Sequence, residues 1–182
     1  MLPEISLNVL DIAQNSIKAG ASLVEIRVHI MKNEHLMTLS IDDNGCGMDE
    51  EQLERVIDPF FTSRTTRKIG LGVPFLKQAA EASGGSFSIS SEVNVGTNVS
   101  ATFHTDNIDC MPLGDINSTI FSLVTTNEEL DFVYTYRVDQ KEFTLDTREI
   151  REILGDVSFQ NGEVSSFLRE YLSENQLEVE QQ

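Results

Sequence analysis

Apolar side chains recur along this chain with two different periods, and the periods predict its helices and strands. Over residues 5–19 they return every three to four positions, as on the buried face of a helix, and Gly20 follows as a C-terminal cap. Residues 24–30 and 37–41 alternate between apolar and polar side chains, which is typical of half-buried strands. The same periods predict helices over 49–57 and 73–83, and strands over 87–89 and 99–103.

The order of these elements predicts the fold of the first part of the chain. A helix, two strands, a short helix, a loop, a helix and two further strands indicate an α/β fold over residues 1–104. We expect a two-layer sandwich with a mixed sheet, because about a hundred residues suffice for one such core.

A different pattern begins at residue 105 and predicts a small C-terminal α+β extension over residues 105–172. Alternation over 132–138 predicts a strand that 143–145 can pair with, and Thr147 is placed to cap a helix. An apolar stripe over 164–172 predicts one more helix. Residues 173–182 are polar and acidic, and we expect them to form a flexible tail.

Composition and charge narrow the class of protein. Thirteen basic against thirty acidic residues give a formal net charge of −17, which argues against nonspecific binding to nucleic acid or to an anionic membrane. The sequence contains neither an apolar run of membrane-spanning length nor a signal segment, so we expect a cytoplasmic protein. Cys46 and Cys110 are the two cysteines, too few for a disulfide framework, and we expect reduced thiols.

The charge is unevenly distributed along the chain. Residues 105–182 contain 5 basic and 17 acidic side chains, a net charge of −12. In contrast, residues 59–80 contain no acid but carry Arg64, Arg67, Lys68 and Lys77. This basic segment predicts contact with an anion.

Asp11 and Asn15 lie four residues apart in the first predicted helix, so their side chains share one face. A carboxylate and an amide oxygen on one face could hold Mg²⁺ and position a water or hydroxyl nucleophile. The alternative is a solvated polar stripe that also includes Asn8 and Lys18.

Two glycine-containing turns follow predicted structural elements. The turn at 43–47 could bring its backbone close to a flat ring while Asp43 accepts a hydrogen bond from an exocyclic amine. Gly70 and Gly72 open the helix after the basic segment, where bare N–H groups could hold a phosphate. In each case the alternative is an ordinary turn without a ligand.

The order and spacing of these signals resemble the GHKL ATPase superfamily, which includes gyrase B, Hsp90-type chaperones, MutL and the ATP domains of histidine kinases. The resemblance covers residues 3–103 and implies a Bergerat-type fold that binds ATP and magnesium. The motifs that carry it are NVLDIAQNSIKAGAS, DDNGCGM, DPFFTSR, GLGVPFLKQAAEASGG and GTNVSATF.

The resemblance also implies roles for individual residues. Asn15 would be the magnesium ligand, Asp43 the adenine partner and Thr97 a hydroxyl of the adenine pocket. Gly45 and Gly47 would be the ring-approach glycines, Gly70 and Gly72 the phosphate-side glycines, and Phe60 and Phe61 would pack the lid. The basic segment itself, with its glycine-rich end, predicts that Arg64, Arg67 and Lys68 form a lid over the phosphates.

The residue type at the position that corresponds to Asp11 differs between the branches of the superfamily. Histidine kinases usually have asparagine there, whereas the ATPases and the anti-sigma serine kinases have glutamate as general base. Asp11 is a carboxylate, so we expect it to act as a base on water or a hydroxyl, although its side chain is one methylene shorter than glutamate. The alternative is a carboxylate that holds water or Lys18.

These features predict an ATP-dependent kinase-like domain of bacterial signalling that transfers phosphate to, or switches, a separate protein partner. We expect the phosphoacceptor on that partner, because no dimerisation helix or phosphoacceptor segment precedes Asn8 in this sequence. A slow stand-alone ATPase and a nucleotide-binding interaction module without turnover are the alternatives. The extension either recruits the partner or only completes the core.

Overall fold

The structure is a computed structural model that describes residues 3–58 and 71–181. Its strands are β1 (Leu23–Met31), β2 (Leu36–Asp43), β3 (Ser86–Glu92), β4 (Gly96–His104), β5 (Asp131–Val138) and β6 (Lys141–Asp146). Its helices are α1 (Ile5–Lys18), α2 (Glu50–Ile57), α3 (Gly72–Ala82), α4 (Ile116–Thr126), α5 (Thr147–Leu154) and α6 (Gly162–Glu180).

The described strands form one mixed sheet in the order β3-β4-β2-β1-β5-β6. β1 and β5 run parallel, whereas the other neighbouring strands are antiparallel. Alternate residues of β1 are buried toward the helices, among them Val24 and Ile26, while Glu25 and Arg27 face the opposite side. One sheet face is thus covered by helices and the other is polar, which confirms the predicted two-layer α/β sandwich.

The C-terminal extension belongs to this same sheet. β5 lies beside β1 with Phe132 opposite Val24, and its aromatic residues Phe132, Tyr134 and Tyr136 are buried. α4 packs against α1 on the helical face. The sheet therefore runs through the predicted boundary at residue 104, which favours the reading that the extension completes the core.

α4 is a helix that the sequence analysis left unassigned. Asp115 caps it by accepting a hydrogen bond from the Ser118 backbone N–H at 2.9 Å. Its buried residues Ile116, Ile120 and Leu123 follow the helical period, but the intervening serines and threonines favour other conformations. Tertiary packing against α1 therefore decides the conformation here.

The cap of α5 differs from the prediction by one residue. Asp146 is the N-cap and accepts from the Arg148 backbone N–H at 2.9 Å, while Thr147 is the first helical residue. The Thr147 hydroxyl is buried and accepts from the Phe132 N–H at 2.9 Å. Thr147 thus accepts a hydrogen bond from the second residue of β5 instead of capping the helix.

The predicted flexible tail at 173–182 is helical in the structure as far as Glu180, where α6 ends. Val179 is buried, and the Tyr136 hydroxyl donates to Glu180 Oε1 at 2.7 Å. Burial, together with the hydrogen bond to Glu180, raises the pKa of Tyr136, so the phenol stays protonated and can donate. Lys32 donates to the Glu180 carbonyl at 3.2 Å, and Lys141 donates to the carbonyl of the C-cap residue Gln181 at 2.8 Å. These contacts join residues far apart in sequence, so a local pattern could not predict them.

Within residues 3–58 and 71–181, no helix has the length and apolar character needed to span a membrane.

Val179 tests whether the end of α6 stabilises the core. We expect Val179→Ala to lower the free energy of unfolding by about 1.5–3 kcal/mol, because two buried methyl groups are lost and a cavity remains. Leu177→Ala is the matched control, since Leu177 lies on the same helix and is 54% exposed. Urea denaturation measures the free energy of unfolding of both variants. If Val179→Ala is as stable as Leu177→Ala, residues 173–181 contribute nothing to the core.

Candidate functional site

Asp43 ends β2, and its side chain faces the helical layer. The Ser16 hydroxyl of α1 donates to its Oδ2 at 2.6 Å, and the Gly45 N–H donates to its Oδ1 at 2.9 Å. These two bonds fix the orientation of the half-buried carboxylate. Each oxygen keeps a further lone pair, so the group can still accept hydrogen bonds from a ligand.

The turn after Asp43 is tied to two other parts of the fold. Asn44 Oδ1 accepts from the backbone N–H groups of Ser22 and Leu23, at 2.8 and 3.0 Å. The Cys46 N–H donates to the Ala19 carbonyl at 2.9 Å, and the Cys46 carbonyl accepts from Asn94 at 2.8 Å. The turn is therefore held between the α1–β1 connection and the β3–β4 hairpin.

Packing within the protein requires glycine at both predicted ring-approach positions, independently of any ligand. A Cβ on Gly45 would lie 2.8 Å from the Ala19 Cβ. Gly47 has a φ of +66°, and a Cβ there would lie 1.9 Å from the Glu92 carbonyl oxygen. The approach of these glycines to a ligand ring stays a prediction.

Thr97 in β4 lies directly opposite Asp43 in β2, so both side chains face the helical layer. Gly96 makes this pairing close, because a Cβ there would lie 1.9 Å from the Asp43 carbonyl oxygen. The structure thus brings together the two residues that the resemblance assigned to the adenine pocket.

Ser91 is a neighbour of Thr97 that the sequence analysis missed. Its hydroxyl lies 2.8 Å from the Thr97 hydroxyl, and it pairs with Thr97 across β3 and β4. The alternation of Phe87 and Ile89 extends to position 91, which was the available signal that Ser91 faces the same side of the sheet.

Asp11 and Asn15 lie half-buried on α1, and neither side chain has a hydrogen-bond partner among the residues that the structure describes. Asp11 lies against the start of α3, where a Cβ on Gly72 would be 2.6 Å from the Asp11 Cβ. α3 begins without a side-chain cap. Side-chain oxygens of α1 and helical N–H groups of α3 that have no side-chain cap therefore lie side by side.

The alternative of a solvated polar stripe on α1 is wrong at Asn8. Asn8 is fully buried, and its amide nitrogen lies 4.0 Å from the Met111 sulfur. Its Oδ1 has no partner within the described parts of the chain. Those parts also contain no ion pair between Asp11 and Lys18.

The predicted lid lies outside the described residues. This applies to Arg64, Arg67, Lys68 and Gly70, and to Phe60 and Phe61. Their roles stay predictions.

A cleft of about 340 Å³ opens at this end of the sheet. Its lining residues alternate along the strands between the polar face of the sheet and the face covered by helices. Its lining consists of Asp42, Asp43, Ser90, Ser91, Glu92, Val95, Gly96, Thr97 and Asn98.

Two curated relatives resemble parts of this chain. A putative sensor protein of Shewanella frigidimarina is 32% identical over 103 residues, which are 56% of this chain and 15% of that protein. The sensor protein kinase FleS of Pseudomonas aeruginosa is 40% identical over 58 residues, 32% of this chain and 14% of that protein. The chain thus matches about a seventh of the length of each.

A solved structure, the Aquifex aeolicus MutL ATPase domain complexed with ADP, shares the fold. The TM-score is 0.50 at 16% sequence identity, and the superposition covers 85% of this chain and 70% of that one. This coverage is too large to lie within residues 1–104, so part of the extension also has a counterpart there.

The family model for the histidine kinase-, DNA gyrase B- and HSP90-like ATPases matches residues 4–107, more than half of the chain. The match spans α1 through β4, and so includes Asp11, Asn15, Asp43 and Thr97. This chain therefore belongs to the family of histidine kinase-, DNA gyrase B- and HSP90-like ATPases.

Proposed function

We propose that this chain binds Mg-ATP and ADP with the adenine against Asp43, and that it uses the nucleotide to phosphorylate or switch a separate protein. The observation that carries the proposal is the Asp43 carboxylate, oriented by Ser16 and Gly45 and facing Thr97. Membership of the ATPase family and the likeness to an ADP-bound domain support it.

The polar atoms near Asp43 suit an adenine ring. Asp43 offers only acceptors, and an exocyclic amine is a donor. A carboxylate that already accepts two protein hydrogen bonds binds such an amine without first having to reorient, which lowers the entropic cost of binding.

The α1 face suits a metal-bound triphosphate. Magnesium takes oxygen ligands and usually keeps waters and substrate phosphates in its shell, so a single protein oxygen from Asn15 suffices. When bound, the ion would neutralise phosphate charge, while Asn15 orients it and the start of α3 offers N–H groups.

Asp11 is the proposed general base. It shares a face with Asn15 and lies against Gly72 at the start of α3, so a hydroxyl or water beside the terminal phosphate could give up its proton there. The basic lid residues Arg64, Arg67 and Lys68 and the glycine Gly70 complete the proposal as phosphate contacts, on the basis of their charge and sequence position.

A separate protein partner is proposed because the matched relatives are named as a sensor protein and a sensor protein kinase. A slow ATPase is the second candidate, and the carboxylate at position 11 favours it. A nucleotide-binding interaction module without turnover is the third.

Asp43→Asn tests the adenine contact. Replacing one acceptor oxygen by an NH₂ group sets a donor against the adenine amine, so nucleotide should no longer stabilise the protein. At a ligand concentration of 100 times the Kd, the wild type should gain about 2.7 kcal/mol, and the variant almost nothing. Thermal denaturation with and without Mg-ADP measures this gain.

The matched control is Asp42→Asn. Asp42 is the neighbouring residue, but it faces the polar side of the sheet and pairs with Arg27 at 2.7 Å. This variant should keep the full nucleotide-induced shift. If Asp43→Asn is stabilised as strongly as wild type and the control, the adenine does not lie against Asp43.

Asp11→Asn tests the general base. Turnover should fall about a hundredfold to ten-thousandfold while ATP affinity stays unchanged, because a base acts on the attacking group and not on bound nucleotide. Asn15→Ala should instead weaken magnesium-dependent binding, and Asp11→Glu should retain turnover. Phosphate release and transfer to a co-purified partner are the measurements.

Wild-type rates in Asp11→Asn would make Asp11 a polar helix residue without a catalytic role. A kinase-like mechanism in which the acceptor is a histidine of the partner would then replace the proposal.

A further inference from the structure

The Ser91 hydroxyl has three polar neighbours in the structure. It lies 2.8 Å from the Met48 backbone nitrogen, 3.0 Å from the Gly96 carbonyl oxygen and 2.8 Å from the Thr97 hydroxyl oxygen. Ser91 thereby joins the turn after Asp43 to the β3–β4 hairpin.

Hydrogen-bond chemistry determines which of these contacts donates. The Met48 N–H can only donate and the Gly96 carbonyl can only accept, so Ser91 accepts the first bond and its single proton goes to the second. All three contacts are satisfied together only when the Thr97 hydroxyl donates to Ser91. If Ser91 donated to Thr97 instead, its single proton would leave the Gly96 carbonyl or would be shared between the two acceptors.

The Thr97 hydroxyl proton is therefore used in the hydrogen bond to the Ser91 hydroxyl oxygen. What remains on the Thr97 oxygen is a pair of lone pairs, on the same sheet face as the Asp43 carboxylate. Asp43 likewise offers only acceptors. Side by side, the two residues present acceptor oxygens and no side-chain donor.

We propose that Ser91 is a positioning residue that turns the Thr97 hydroxyl into an acceptor, and that it thereby makes the site select a 6-amino purine over a 6-oxo purine. The proposal rests on the proposed function, since it needs the base to lie against Asp43. The two hydrogens of a 6-amino group can donate to both oxygens, whereas a 6-oxo purine can donate only its N1–H to one of them and would set its O6 acceptor against the other.

Removing the Ser91 hydroxyl frees the Thr97 proton. The Thr97 hydroxyl can then rotate and donate to a 6-oxo group, so discrimination against the 6-oxo purine should weaken. The Met48 N–H also loses its partner, a structural effect that should weaken the binding of both purines to the same extent.

The experiment measures the Kd of Mg-ATP and Mg-ITP by calorimetry for the wild-type chain, Ser91→Ala, Ser91→Thr and Thr97→Val. ITP differs from ATP in two neighbouring groups of the base: a 6-oxo group replaces the 6-amino group, and N1 carries a proton. The ratio of the two Kd values should favour ATP in wild type and fall about two- to tenfold in Ser91→Ala, the range expected for one hydrogen bond. Ser91→Thr retains a hydroxyl and should restore the ratio.

Thr97→Val shows whether Ser91 acts through Thr97. Valine has no hydroxyl, so the ratio should fall in Thr97→Val, and adding Ser91→Ala to it should change the ratio no further. Thr97→Val leaves Ser91 in place, so the proposal can be tested even if Ser91→Ala does not fold.

Three results would overturn the proposal: an equal loss of ATP and ITP affinity in Ser91→Ala, a ratio that Thr97→Val leaves unchanged, or an effect of Ser91→Ala that persists without the Thr97 hydroxyl. A wild-type chain that binds neither nucleotide is a different result, because it would contradict the proposed function itself.

Discussion

The candidate site depends on the two hydrogen bonds that hold the Asp43 carboxylate. Ser16 belongs to α1 and Gly45 to the turn after β2, so the carboxylate connects the helical layer to the sheet. Thr97 and Ser91 extend this polar cluster across β4 and β3. A half-buried polar cluster of this kind is stable when its members are paired, and the structure pairs them while leaving lone pairs for a ligand.

The C-terminal extension contributes no residue to the candidate site among those described, but it stabilises the sheet that positions Asp43. β1 supports β2 on one side and is itself supported by β5 on the other, so the aromatic strand of the extension stabilises the sheet on which Asp43 is placed. The end of α6 in turn contacts Tyr136 of β5 and Lys32 beyond β1. The acidic extension is thus part of the scaffold, and any partner that it recruits must bind to its outer surface.

Local periodicity predicted α1, β1, β2 and the aromatic strand β5. In each of these elements the spacing of apolar residues along the sequence indicates which face is buried. The resemblance placed Asp43 and Thr97 in one pocket, but their pairing across β2 and β4 was not predicted, because strand register joins residues 54 positions apart and leaves no local signal. The hydroxyl contacts of Ser91, the burial of Asn8 and the ordered end of α6 were missed for the same reason. They depend on which distant residues the finished fold brings into contact.

A crystal structure of the chain with Mg²⁺ and a non-hydrolysable ATP analogue tests the central claim most directly. The account predicts the 6-amino group of adenine about 2.7–3.2 Å from an Asp43 carboxylate oxygen, the normal distance of an N–H···O hydrogen bond. It also predicts the triphosphate beside Asn15 and the start of α3. An adenine bound on the polar face of the sheet, beside Asp42 and Asn98, would contradict it.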